Sequence, residues 1–123
     1  DGYLVFTLPV ERGSLADSQY VRFNSKRTSN LLLPGLADES FTYTVDTPAG
    51  MEPVTRPMEK KMDNAVGTLT ISIRPEGAKT RVIRSLKLKK QMIRPADYAA
   101  FRQLMTEYGA VDGLTLVYRK PLP

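Results

Sequence analysis

Two runs of alternating residues joined by a tight turn constrain this chain most. From Thr80 the even positions read Val82, Arg84, Leu86 and Leu88, and the odd positions read Arg81, Ile83, Ser85, Lys87 and Lys89. That period of two is the mark of a half-buried strand. Upstream, Leu69, Ile71 and Ile73 alternate with Thr68, Thr70 and Ser72, and Pro75-Glu76-Gly77 separates the two runs. The pair predicts an antiparallel hairpin. Arg84 is the misfit, because it falls in phase with Val82, Leu86 and Leu88 and so should point inward. A buried guanidinium needs hydrogen-bonding partners or a carboxylate; otherwise a bulge near Arg84-Ser85 must turn it outward.

After the second run, Arg94-Pro95 interrupts the alternation. Proline favours the first helical position, and Asp97 falls in the first turn, where the dipole prefers an acid. Tyr98, Phe101, Leu104, Met105 and Tyr108 follow at helical spacing, which predicts a helix over 95–108 with one apolar face. Gly109 is expected in the left-handed position just past its end. Asp112-Gly113 turns the chain, and Leu114 to Tyr118 is rich in strand formers. The helix allows two topologies. It can carry the chain across so that the closing strand runs parallel to Thr80–Lys90, or it can plug the end of a sandwich with the closing strand in the opposite sheet.

The rest of the chain is strands and turns. Gly2 to Leu8 is a strand, nearly continuous in apolar residues, which suits one covered on both faces or placed at a domain junction. Gln19 to Phe23 alternates and reads as a strand, and Asn24 to Asn30 as a surface turn without the glycines of a phosphate cradle. Leu31-Leu32-Leu33 before Pro34-Gly35 is a short strand or an exposed hydrophobic edge. Phe41, Tyr43 and Val45 alternate with Ser40, Thr42, Thr44 and Asp46. Between Met51 and Met62, Pro53 and Pro57 argue for short edge strands rather than a helix. Met51, Met58 and Met62 fit gap-filling in the core. Seven or eight short strands and one late helix make the expected fold mainly β: an antiparallel β-sandwich with one α-helix near the C-terminus, in a single domain over 1–123.

Composition removes whole classes of chemistry. The 123 residues contain no cysteine and no histidine. Thiol nucleophiles, disulfides, the usual general base, the usual zinc ligand and the Ser-His-Asp arrangement go together. The carboxylates Asp38 and Glu39, or Asp46 and Glu52, are near each other in sequence but sit in contexts where solvation explains them, and no acidic calcium loop is present. We therefore expect no catalytic, metal or cofactor-binding residues and no cofactor. Eight of the 18 Lys and Arg residues (Lys79, Arg81, Arg84, Lys87, Lys89, Lys90, Arg94 and Arg102) fall within 24 positions. Without interleaved aromatics they read as a solvated strand face with a lysine-guarded edge, not as a specific nucleic-acid surface. No apolar run is long enough to span a membrane. No signal peptide is visible, and the opening at Asp1-Gly2-Tyr3 reads as a cut from a longer protein.

The stretch TRVIRSLKLKKQMIRPADYAAFRQLMTEYGAVDGLTLVYRK resembles the end of the C-terminal domain of transglutaminase-like multidomain proteins of Gram-negative bacteria. The shared features are the RSLKLKK strand, the P-x-x-Y-x-x-(F/L)-R helix opening and the closing apolar strand. GYLVFTLP and FTYTVDTPAG also fit that domain. The resemblance implies a domain without an assigned function, whose proteins carry their catalytic residues in a separate preceding domain, so no functional residue carries over. It also implies an extracytoplasmic location, in the periplasm or at the cell surface. Two functions follow: a non-catalytic accessory domain packed beside a catalytic neighbour of the same polypeptide, or a sandwich module that binds peptide or glycan through loops at one end.

Overall fold

The computed structural model describes residues 2–9, 30–33 and 36–121. The described residues form nine strands: β1 (Tyr3–Thr7), β2 (Leu31–Leu32), β3 (Asp38–Asp46), β4 (Glu52–Pro53), β5 (Met58–Asp63), β6 (Gly67–Glu76), β7 (Lys79–Leu88), β8 (Met92–Ile93) and β9 (Thr115–Arg119). A 3-10 turn, Pro95–Asp97, leads into the helix α1 (Tyr98–Tyr108), and a second, Val111–Gly113, precedes β9. The mainly-β fold with one late helix is as expected. The strand expected at Gln19 to Phe23 and the surface turn after it lie outside the described residues, Asn30 excepted.

Four strands form the main sheet in the order β3-β7-β6-β5, and three form a second in the order β1-β9-β4, with β2 and β8 making a two-residue ribbon. Every pairing is antiparallel. The β6–β7 hairpin pairs Ile73 with Val82 and Ile71 with Arg84, and closes through Gly77 in the left-handed region. The interrupted Met51–Met62 stretch supplies the short edge strand β4, with Pro53 in it, and the edge strand β5. Pro53 loses no ladder bond there because one side of an edge strand has no neighbour.

The inner face of the main sheet is covered in two halves by different layers. Over one half, Leu69, Ile71, Leu86 and Leu88 pack with Phe101, Leu104, Met105 and Tyr108 of α1. Over the other, Ile73 and Val82 pack with Leu8, Leu114, Leu116 and Tyr118 at the three-stranded sheet. Met58 and Met62 pack against the first cluster and Met51 and Met58 against the second, so the methionines fill gaps as expected. Of the two topologies open to the closing strand, the opposite-sheet one is found: β9 pairs antiparallel with β1 and β4. The helix lies on the sheet face rather than at the sandwich end.

A close approach fixes the hairpin's far end. At Gly67 a Cβ would sit 2.5 Å from the backbone oxygen of Lys87, so only glycine fits between β7 and α1. Asn64 braces the same corner. Its side-chain oxygen accepts from the Val66 and Gly67 amides, and its amide nitrogen donates to the Ala100 carbonyl on α1.

The helix face predicted from spacing is the one buried: Phe101, Leu104, Met105 and Tyr108 are fully enclosed, while Arg102 is half-buried and Gln103 exposed. Phe101→Ala should therefore cost about 3–5 kcal/mol, the usual range for truncating a buried aromatic. Arg102→Ala should cost less than about 0.5 kcal/mol. Urea melts of the two variants check this; equal, small losses would mean that the helix does not belong to this core.

Candidate interaction surface

Arg84 is buried, with 2% of its surface exposed, and lies on the inner face of β7 between Val82 of one cluster and Leu86 of the other. No bulge rescues it. Its guanidinium donates to the Gly113 carbonyl at 3.0 Å and to the Tyr108 carbonyl, and stacks 4.9 Å from the centre of the Tyr108 ring. These partners are main-chain oxygens of the connector from α1 to β9, not a carboxylate. A cation at the last carbonyls of a helix also meets the negative end of its dipole. The helix end departs from expectation as well. Gly109 is not left-handed; its φ is −91°, its amide donates back to the Met105 and Glu107 carbonyls and the Ala110 amide donates to the Glu107 carbonyl, so the last turn is closed without a left-handed residue.

Lys60, on the inner face of the edge strand β5, holds the same connector from outside. Its ammonium lies 2.6 Å from Glu107 and 3.4 Å from Asp112. The hydrogen bond to Glu107, followed by the attraction of Asp112, raises its pKa above the ordinary value of 10.5 against the cost of burial. The Tyr108 hydroxyl donates to Glu39 at 2.6 Å. Burial first, then that carboxylate, push the phenol's pKa well above its ordinary value.

Three of the four acidic residues weighed from sequence are thus engaged structurally. Glu39 holds Tyr108, Glu52 pairs with Arg119 at 2.9 Å, Asp46 lies 4.0 Å from Lys79, and Asp38 is exposed at the start of β3. Among the described residues no group of three or more acidic side chains could hold a metal ion. The basic run is divided by the fold. Lys89 pairs with Asp63 at 2.6 Å, and Lys90 and Arg94 pair with Asp97 at 3.2 and 3.4 Å. Those cations hold the Asp63 and Asp97 carboxyls below the usual range. The lysines do not guard an edge, however: β7 is an interior strand with β3 and β6 on either side. Its Arg81 and Lys87 stand on the solvent face. There a groove of about 450 Å³ is lined by Glu59, Lys61, Thr70, Ser72, Arg74 and Arg81, among others, with no aromatic ring in it.

The surface that does stand out is β1. All five of its residues are exposed, with Tyr3 at 60% and Val5 at 61%. Of the two expectations for this apolar strand, coverage on both faces does not hold among the described residues. Leu4 and Phe6 share the core face with their partners Tyr118 and Leu116, yet remain partly open to solvent; Tyr3 and Val5 stand on the outer face opposite Arg119 and Val117. The strand is nonetheless firmly held. Leu8 is buried just beyond it, and the Leu8 amide donates to the Leu114 carbonyl at 2.7 Å. A second, smaller apolar patch lies on the β2–β8 ribbon, where Leu32 and Met92 are paired and exposed. Sequence reading found both stretches apolar; it could not see that nothing described covers them, because that depends on strand order.

A mainly-β domain of two sheets, with a helix over half of the larger one and no assembled catalytic cluster among the described residues, is the class these observations define. The chain belongs to the family described as a domain of unknown function with solved structure, DUF3858, whose model matches residues 3–118. No curated protein matches it. Among solved structures it is similar to a protein of Parabacteroides distasonis described as "a putative protease", with 33% sequence identity and a TM-score of 0.86. The match covers 97% of this chain and 24% of that one, so the chain spans about a quarter of the length of the structure it matches.

Removing the Arg84 fork should unfasten the connector. Arg84→Met keeps apolar bulk but leaves two buried carbonyls unpaired, at about 1–3 kcal/mol each. Arg84→Lys should recover little, because an ammonium lacks the planar fork. Urea unfolding measures both; a loss under about 0.5 kcal/mol for Arg84→Met would contradict the assignment. Lys60 adds a pH dependence of known sign. Its folded pKa is raised, so its contribution is complete below 10.5 and is lost as pH rises through the folded value. Lys60→Met should therefore reduce stability at neutral pH and flatten the alkaline limb of a stability–pH curve.

Proposed function

We propose that this chain is a non-catalytic accessory domain that packs against a neighbouring domain of the same polypeptide, the neighbour being a protease-like or transglutaminase-like catalytic domain whose substrate access it shapes. The observation that carries the reading is the exposed apolar strand β1 on a chain that spans 24% of a solved chain described as "a putative protease". An apolar strand left open to water is an association surface or a liability. The residue inventory supports a non-catalytic role, since the common nucleophile–base pairs need cysteine or histidine and the chain has neither. The sequence resemblance supports an extracytoplasmic setting. No helix among the described residues is long and apolar enough to cross a membrane. For a glycan-binding role the outer groove lacks the aromatic platform on which sugars stack, and no particular observation favours it.

The test is coupling. In the longer polypeptide, Tyr3→Asp with Val5→Asp places charge on the outer face of β1 at little cost to the domain itself, as both side chains are exposed. Calorimetry should show one joint unfolding transition becoming two. A joint transition that survives the double substitution would contradict packing through this surface. Turnover of amide or ester substrates by the 123-residue chain alone, abolished by a single acid or serine substitution, would contradict the non-catalytic part.

A further inference from the structure

The ladder between β1 and β9 shows which backbone groups of β1 are already used. The Lys120 amide donates to the Gly2 carbonyl at 3.0 Å, and the Leu8 amide donates to the Leu114 carbonyl at 2.7 Å. In an antiparallel pair, hydrogen-bonded and non-hydrogen-bonded positions alternate. With the register Tyr3↔Arg119 to Thr7↔Thr115, Leu4 and Phe6 are then the residues that exchange bonds with β9. The N–H and C=O groups of Tyr3, Val5 and Thr7 point the other way. On β9 the assignment checks independently: the Val117 carbonyl, opposite Val5, accepts from Val54, and the Val117 amide donates to Thr55 Oγ1, both on the β4 side. Among the described residues, β9 is the only strand beside β1.

We propose that the outer edge of β1 is a strand-addition site, and that its occupant is an uncharged extended segment of about five residues from the neighbouring domain of the same polypeptide. This rests on the accessory-domain reading and specifies its mode. Three outward residues in a row offer donor and acceptor at a two-residue repeat, which only an extended backbone can match. Both faces of the edge are apolar: Leu4 and Phe6 on the core side, Tyr3 and Val5 on the outer side. An added strand would close the core layer over the open flanks of Leu4 and Phe6. The edge has none of the devices that block such addition, having no charge, no proline and no bulge between Tyr3 and Thr7. A segment of the same polypeptide is favoured over a second copy because the chain spans only 24% of the solved chain it matches, and a segment on the same polypeptide meets the edge in an intramolecular step that a second copy lacks.

Amide hydrogen exchange by NMR decides the matter, read in the longer polypeptide and in the 123-residue chain. In the chain alone, at low concentration, the Leu4 and Phe6 amides should be protected and those of Val5 and Thr7 should exchange freely. In the longer polypeptide, Val5 and Thr7 should slow by roughly 100-fold or more, as amides that open only by sub-global unfolding do. Val5→Pro removes one outward N–H without touching the β9 ladder, and edge strands tolerate proline at such positions. It should leave the chain's own stability nearly unchanged while abolishing joint unfolding in the longer polypeptide. Protection of Val5 and Thr7 in the chain alone when monomeric would assign the edge to a segment within residues 1–123 and overturn the proposal. Protection that appears only as the chain dimerises would assign it to a second copy and overturn it as well. Joint unfolding without protection of these amides would keep the accessory reading and refute strand addition. Loss of both would refute the accessory reading itself.

Discussion

The fold depends on a charge placed where charge is costly. Arg84 lies at the seam where one layer over the main sheet gives way to another, with Ile71, its partner across the hairpin, in one cluster and Val82, two residues back, in the other. The chain must cross that seam to pass from α1 into β9. Its carbonyls at Tyr108 and Gly113 are buried in the crossing and cannot be served by either layer's regular bonding. A hydrophobic residue at position 84 would pack, but would leave those carbonyls unpaired. The guanidinium serves both, covers the Tyr108 ring, and meets the helix dipole at its negative end. Gly113 completes the fit, as a Cβ there would stand 3.2 Å from the guanidinium.

The two layers also divide the labour. The helix half is enclosed, down to Phe101, Leu104 and Tyr108 with no exposed surface, and is braced by Asn64 and Lys60 from the edge of the sheet. The three-stranded half is enclosed only as far as β9. Among the described residues the layer ends in β1, whose apolar side chains stay in contact with water.

Much of this was legible in the sequence, because the signals were local. Alternation from Thr68 to Leu88 marked the hairpin, Arg94-Pro95 and the Tyr98–Tyr108 spacing marked the helix, and the phase of Arg84 marked it as either buried or turned out by a bulge. What escaped depends on contacts far apart in the chain. Gly109 looked like a left-handed cap, but the last turn is closed by right-handed backbone bonds, and the Tyr108 carbonyl is served by Arg84 from far back in the chain. The lysines of β7 looked like edge guards because sequence does not reveal that β3 pairs on one side and β6 on the other. Two-residue β8 carries no periodicity at all. The apolar run of β1 fitted both a covered strand and a junction strand, and the strand order among the described residues speaks only against the first. The exposed surface was therefore visible as composition and invisible as a surface.

The most direct test of the central claim asks whether the two halves are one cooperative unit joined at Arg84. Native-state hydrogen exchange of the wild-type chain in rising, sub-denaturing urea measures the opening free energy of each amide. The Leu104 and Met105 amides report on the helix half, and the Leu116 and Tyr118 amides report on the bonds of β9 to β1. If Arg84 fastens the connector to the sheet, both sets should converge on a single opening free energy equal to that of global unfolding. If the helix amides exchange through a much cheaper opening while β9 stays protected, the two layers are independent, and the buried guanidinium is not what holds them together.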